Sequence, residues 1–128
     1  MRYLISLILV CATLLPIMAE AYDVLIIESR RDPAYEEVLK GFRSNRKLTE
    51  RVIVLTEYAE ADIARIVRED QPGLIVTFGD GALAATSKVR QTPVIALMAL
   101  SVHSLNGSRP NVAGIGMFVQ PERYMNIF

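Results

Sequence analysis

This chain has one cysteine, one histidine, no tryptophan and no net charge, and each scarcity removes a class of function. Cys11 lies inside an apolar stretch near the start, so the rest of the chain holds no thiol for a disulfide or a thiolate metal site. His103 has no second histidine or nearby cysteine to complete a metal-ligand spacing. With 14 basic and 14 acidic residues there is no basic excess of the kind that marks a nucleic-acid partner. No segment joins a strong apolar face to a lysine- or arginine-rich one, as a membrane-surface helix would. Gly79-Asp80-Gly81 lacks the third glycine and downstream acid of a dinucleotide fingerprint, and the lysine and longer loop of a P-loop. The sharp Gly-x-Ser-x-Gly turn of a serine nucleophile is missing as well. No catalytic residue, metal or cofactor is expected, and the chain reads as a non-enzyme.

What is present begins with the first 21 residues. Arg2 supplies a positive start, Leu4 to Met18 are almost unbroken apolar, and Ala19-Glu20-Ala21 has the small-x-small pattern of a processing site. The apolar run falls short of the roughly 20 residues needed to cross a hydrocarbon core, and Pro16 marks its end. A secretory signal peptide cleaved after Ala21 is expected, leaving a chain that does not itself span a membrane. Cys11 follows Val10 in mid-stretch, away from the cleavage point, which argues against lipid attachment.

From Tyr22 onward, short apolar runs alternate with amphipathic segments. Asp23-Val24-Leu25-Ile26-Ile27 has the continuous pattern of a strand buried on both faces. Asp32-Pro33 opens a helix, with aspartate as cap and proline at the first helical position. That helix places Tyr35, Val38, Leu39 and Phe42 on one face and Glu36, Glu37, Lys40 and Arg43 on the other. Val52 to Leu55 reads as a second strand, Glu60 to Glu69 as a helix ended by Gln71-Pro72-Gly73, and Leu74 to Phe78 as a third strand. A helix from Ala82 to Val89 follows, then a strand over Val94 to Leu97 and another around Val112 to Met117. Pro121 and Glu122 begin a further helix. This βαβ spacing predicts an α/β fold, a doubly wound and mostly parallel sheet of flavodoxin-like topology. The organisation expected is a leader over 1–21, an α/β lobe over 22–120 and a crossover helix starting at 121–128.

Ligands of such sheets bind beyond the carboxyl ends of the strands, which selects four places. After strand one, Glu28-Ser29-Arg30-Arg31 offers a hydroxyl and guanidinium groups for a polar ligand, or a solvated turn whose Ser29 and Asp32 cap the next helix. After strand three, the turn Gly79-Asp80-Gly81 leaves room for an anionic group near free helix amides, with Asp80 able to meet an amine. The same turn also suits a tight bend with Asp80 as cap. Met98-Ala99-Leu100-Ser101 fits either a pocket wall or a buried extension of strand four. Tyr58, after strand two, fits covering the sheet edge better than lining a cleft. The candidate ligand-binding residues are Glu28, Ser29, Gly79, Asp80, Gly81 and Ser101.

The stretch Val76-Thr77-Phe78-Gly79-Asp80-Gly81-Ala82-Leu83-Ala84-Ala85, joined to Thr92-Pro93-Val94-Ile95-Ala96, resembles the first lobe of exported substrate-binding proteins of ABC transporters. The nearest group is the uncharacterised or tryptophan/tyrosine type. Glu69 to Ile75, Arg109 to Gly114 and the leader agree with it. The resemblance implies one lobe of a type I periplasmic binding protein, a small-molecule solute as ligand and an inner-membrane ABC permease as partner. It places ligand-facing loops at Glu28-Ser29 and Gly79-Asp80-Gly81. The family's polar Ser-Asp-Pro-type turn after strand four is replaced here by Leu97-Met98-Ala99-Leu100-Ser101, so no particular solute is implied. A partial chain, with a second lobe elsewhere, is the expectation, and a half-cleft alone should bind solute weakly. The competing reading is a periplasmic sensor or partner-docking lobe of a membrane signalling system. A response-regulator-like domain is disfavoured by the leader.

Overall fold

The computed structural model describes residues 1–13, 22–45, 47–105, 107–116 and 125. The cleavage site after Ala21 and most of the 121–128 helix expectation lie outside them. The apolar start forms α1 (Arg2–Thr13), every side chain of which is exposed. No helix among the described residues is long and apolar enough to cross a membrane.

The lobe contains β1 (Val24–Glu28), α2 (Pro33–Ser44), β2 (Glu50–Val54), α3 (Ile63–Asp70), β3 (Leu74–Phe78), α4 (Asp80–Ala85), β4 (Val94–Ala99) and β5 (Val112–Gly116). All strand pairs are parallel and the sheet order is β2-β1-β3-β4-β5, so the doubly wound, flavodoxin-like α/β fold is correct. β1 is buried along its whole length, as its continuous apolar run predicts.

Alternation along the strands sorts the core into two layers. Val24 and Ile26 of β1 join Val76 and Phe78 of β3 beneath Tyr35 and Leu39 of α2. Leu25, Ile27, Ile53, Ile75 and Val94 face the other way, against Ile63 of α3 and Ala82 and Leu83 of α4. Tyr35 and Phe78 pack with ring centroids 5.2 Å apart, a tilted pair that adds about 0.5–1.5 kcal/mol to its burial. On the α2 side, Ile95 of β4 and Ile115 of β5 stay exposed among the described residues.

The helix ends differ from the sequence expectation where side chains intervene. Asp32 caps α2 through the Ala34 amide at 2.9 Å, with Pro33 in its first turn, as expected. α3 starts at Ile63 rather than Glu60 because Asp62 accepts the Arg65 amide. It ends where Gln71 turns left-handed before Pro72. α4 starts earlier and stops at Ala85, because Thr86 turns its hydroxyl back onto the Leu83 carbonyl at 2.7 Å. Two short 3-10 turns, Leu55–Glu57 and Ser101–Leu105, follow β2 and β4.

Candidate functional site at the β1–β3 switch

The chain leaves β1 through α2 toward β2 on one side, and leaves β3 through α4 toward β4 on the other. The carboxyl ends of β1 and β3 are therefore the switch point, where doubly wound sheets leave a crevice. Glu28 and Phe78 pair across it.

Ser29 holds this crevice together. Its amide donates to the Phe78 carbonyl at 3.0 Å, and its Oγ donates to the same oxygen at 2.7 Å. The Oγ also accepts from the Ala82 amide at 2.8 Å, satisfying one of the orphan donors at the start of α4. Gly79 has φ +87°, and a Cβ built there would stand 2.7 Å from Ser29 Oγ and 2.8 Å from Tyr35 Oη. A Cβ at Gly81 would stand 3.3 Å from the same Oγ. Glycine is thus required less by a ligand than by the serine that fills the bend. Ser29→Ala should cost about 1–2 kcal/mol by urea denaturation, since it strips Ala82 of its acceptor. A loss under about 0.5 kcal/mol would show that water replaces the hydroxyl.

Asp80 does not cap α4. Gly79 occupies that position without a side-chain bond, and Asp80 reaches across to accept the Ser101 amide at 2.7 Å. The Ser101 hydroxyl and amide, helped by the Leu100 amide, hold the Asp80 carboxyl below its ordinary range. Asp80 is exposed, so the rim of the site carries one anionic side chain tied to the turn after β4.

Glu28 behaves in the opposite way. The sequence pattern places it in a loop, but it is the last residue of β1 and its side chain is fully buried. The strand's alternation directs it to the same face as Ile26, toward α2. Neither carboxylate oxygen has a hydrogen-bond partner among the described residues. Burial pushes its pKa up, Glu36 and Glu57 add to the rise, and Arg31 and Arg43 oppose it. Thr77 Oγ1, one residue before Phe78, is likewise buried and unpartnered.

The structure therefore gathers Glu28, Ser29, Gly79 and Gly81 at the switch, and joins Asp80 to Ser101 beside it. Ser29 is a cross-strand fastener, with its hydroxyl already committed on two sides. Arg30 and Arg31 turn away to pair with Asp32 and Glu57. Met98 and Ala99 belong to β4 itself, the buried-extension reading, while Leu100 is exposed. Tyr58 follows β2, the edge strand, and is half exposed.

Two residues escape the sequence reading. Tyr35 is visible there only as a core aromatic, yet its hydroxyl lies at the bend of Gly79. Arg109 is buried and donates from Nη2 to the Thr86 carbonyl at 2.6 Å and to the Val89 carbonyl at 3.2 Å, closing the turn after α4. Nothing in its neighbourhood along the chain signals a partner 23 positions away.

Two surface grooves lie elsewhere. One, of about 520 Å³, runs between the end of α3 and the turn entering β4. The other, of about 500 Å³, runs between the start of α3 and the outer side of α4. Neither includes a residue of the switch. The described residues hold no group of three or more His, Cys, Asp or Glu side chains able to bind a metal ion.

Fold and site together define a flavodoxin-like, doubly wound α/β lobe whose polar groups gather where β1 and β3 part. The chain matches no family model, no curated protein and no solved structure.

Proposed function

We propose that this lobe is the periplasmic solute-binding component of an ABC-type importer, taking a small molecule at the carboxyl ends of β1 and β3 without performing chemistry on it. The observation that carries the reading is Glu28. A buried carboxyl with two unpartnered oxygens costs stability, and such a group is kept where something else uses it. Its position at the switch is where a doubly wound sheet receives a ligand. A solute bearing an amine or another strong donor, entered between the strand ends, would supply the missing partner. Asp80, charged and held by Ser101, would face the same solute from the rim. The apolar leader supports an exported setting, and the family resemblance supplies the permease as partner.

The test is a nuclear magnetic resonance titration of the full chain with small amines, amino acids and neutral metabolites. Binding of millimolar strength is expected for at least one amine-bearing solute, with shifts at the Ser29, Gly79 and Ser101 amides. Glu28→Gln should weaken it by roughly tenfold, the loss of one charge-assisted hydrogen bond. Shifts confined to other parts of the fold, or a Glu28→Gln variant that binds as the parent does, would overturn the assignment.

A further inference from the structure

The opposite edge of the sheet, where the chain enters β3 and β4, carries a different chemistry. The groove of about 520 Å³ at this edge is lined by Arg68, Lys88 and Arg90, with Gln71, Gln91 and Thr92 between them. No acidic side chain lines it among the described residues. Elsewhere arginines find carboxylates: Arg30 with Asp32, Arg31 with Glu57, Arg43 with Glu50, Arg51 with Asp70 and Arg65 with Glu69. None of the three groove cations has an ion pair to any described residue.

The end of α3 accounts for part of this, since Arg68 lies in its last turn. A cation in a helix's last turn is favoured by the macrodipole by about 0.3–1 kcal/mol. That preference does not require three cations to share one groove with no acid among them. A fourth lies close by. Arg109 is buried, bonds the carbonyl of the groove residue Val89, and leaves its Nε without a partner among the described residues. Burial and the charge of Arg90 both lower its pKa, so Arg90 and Arg109 repel each other across this wall. Clustered like charges concentrate counter-ions, and guanidinium forks match the oxygens of a phosphate.

We propose that this amino-edge groove is a binding site for a phosphate-type dianion, free or carried on a small molecule, held by Arg68, Lys88 and Arg90. Gln91 and Thr92 supply neutral polar contacts beside them. The groove volume is in the range of small-molecule sites. The site is separate from the β1–β3 switch and stands whether or not a solute binds there.

The probe is inorganic phosphate, titrated into the full chain at constant ionic strength, with chloride as the matched arm. Saturable amide shifts are expected at Gln71, Lys88, Arg90, Gln91 and Thr92, with a millimolar dissociation constant. Arg90→Gln should weaken it by about threefold, and the combined Arg68→Gln, Lys88→Gln and Arg90→Gln variant by tenfold or more. Lys40→Gln with Lys47→Gln, which removes charge away from the groove, should leave the constant unchanged. Equal shifts with chloride, a non-saturable response, or weakening by the distant pair would overturn the site. If the combined variant loses spectral dispersion, the single Arg90→Gln and Lys88→Gln variants decide, and unchanged affinity in both overturns the site equally.

Discussion

Gly79→Ala should destabilise the lobe by about 2–5 kcal/mol, the largest effect expected of a single added methyl group here. Two costs add. With φ +87° and ψ 168°, the backbone at Gly79 lies in a region that only glycine adopts easily, and a side chain there costs about 1–3 kcal/mol. The new Cβ would also stand 2.7 Å from Ser29 Oγ and 2.8 Å from Tyr35 Oη. Neither neighbour can yield freely. Ser29 is held by Phe78 and Ala82, and Tyr35 is packed on Phe78. Gly41 is the internal control, since it lies within α2 and a methyl group added there would meet nothing within 4 Å. Gly41→Ala should stabilise by about 0.5–1 kcal/mol, so the two substitutions differ in sign. Urea denaturation followed by circular dichroism measures both. A Gly79→Ala loss under about 1 kcal/mol would mean that the crevice is looser than its geometry implies.

The second large effect is a stabilising one with an unusual pH dependence. Glu28→Leu should raise stability by about 1–3 kcal/mol near pH 7, because it removes a buried carboxyl that has no partner. The gain should shrink toward pH 4. The folded pKa of Glu28 lies above its ordinary value of 4.5, so the folded state holds the proton more tightly than the unfolded chain. The stabilisation from that proton is complete below the unfolded value and is lost as pH rises through the folded one. Wild-type stability should therefore fall across this window, and the leucine variant should lack that fall. Asp80 has the opposite sign. Its folded pKa lies below 3.8, so its contribution is present above that value and disappears only as pH falls through the folded one. Glu28→Gln separates charge from polarity, since it keeps the unpartnered polar atoms but cannot ionise. Denaturation of the three proteins at about pH 4 and pH 7 decides the matter. An advantage for leucine that is equal at both pH values would contradict the assignment.

Much of the architecture is legible along the chain because it rests on local pattern. The apolar runs of β1 and β3 are dictated by burial on both faces, and Asp32-Pro33 marks the start of α2 by capping chemistry that needs only its neighbours. The gathering of polar residues at the strand ends follows from parallel topology. What each residue does there is not legible. Ser29 bonds groups 49 and 53 positions away, and Asp80 bonds one 21 positions away. Those pairings exist only once the sheet has assembled. Glu28 reads as a loop residue because glutamate is seldom fully buried, and strand pairing with Val54 and Phe78 overrides that preference. The cations of the amino-edge groove come from two segments, 68 and 88–90, that become neighbours only when α3 and α4 pack on one face.

β4 contains an irregularity whose importance extends beyond its own strand. Between Ala96 and Ala99 it advances three residues while β5 advances from Gly114 to Gly116, and Met98 sits at φ +53° in that extra step. Leu97 and Met98 consequently pack on the same layer as Phe78, although neighbours in a strand normally face opposite ways. Ala99 then returns to the other layer. The added residue works as a parity element: it lets Ala99 return to the face of Ala96 after three residues, and losing one residue at 97–98 would restore plain alternation while removing one of the two side chains packed on the Phe78 layer. The strand should accordingly tolerate loss of one residue at that point better than a second insertion, which would turn Ala99 away from its layer.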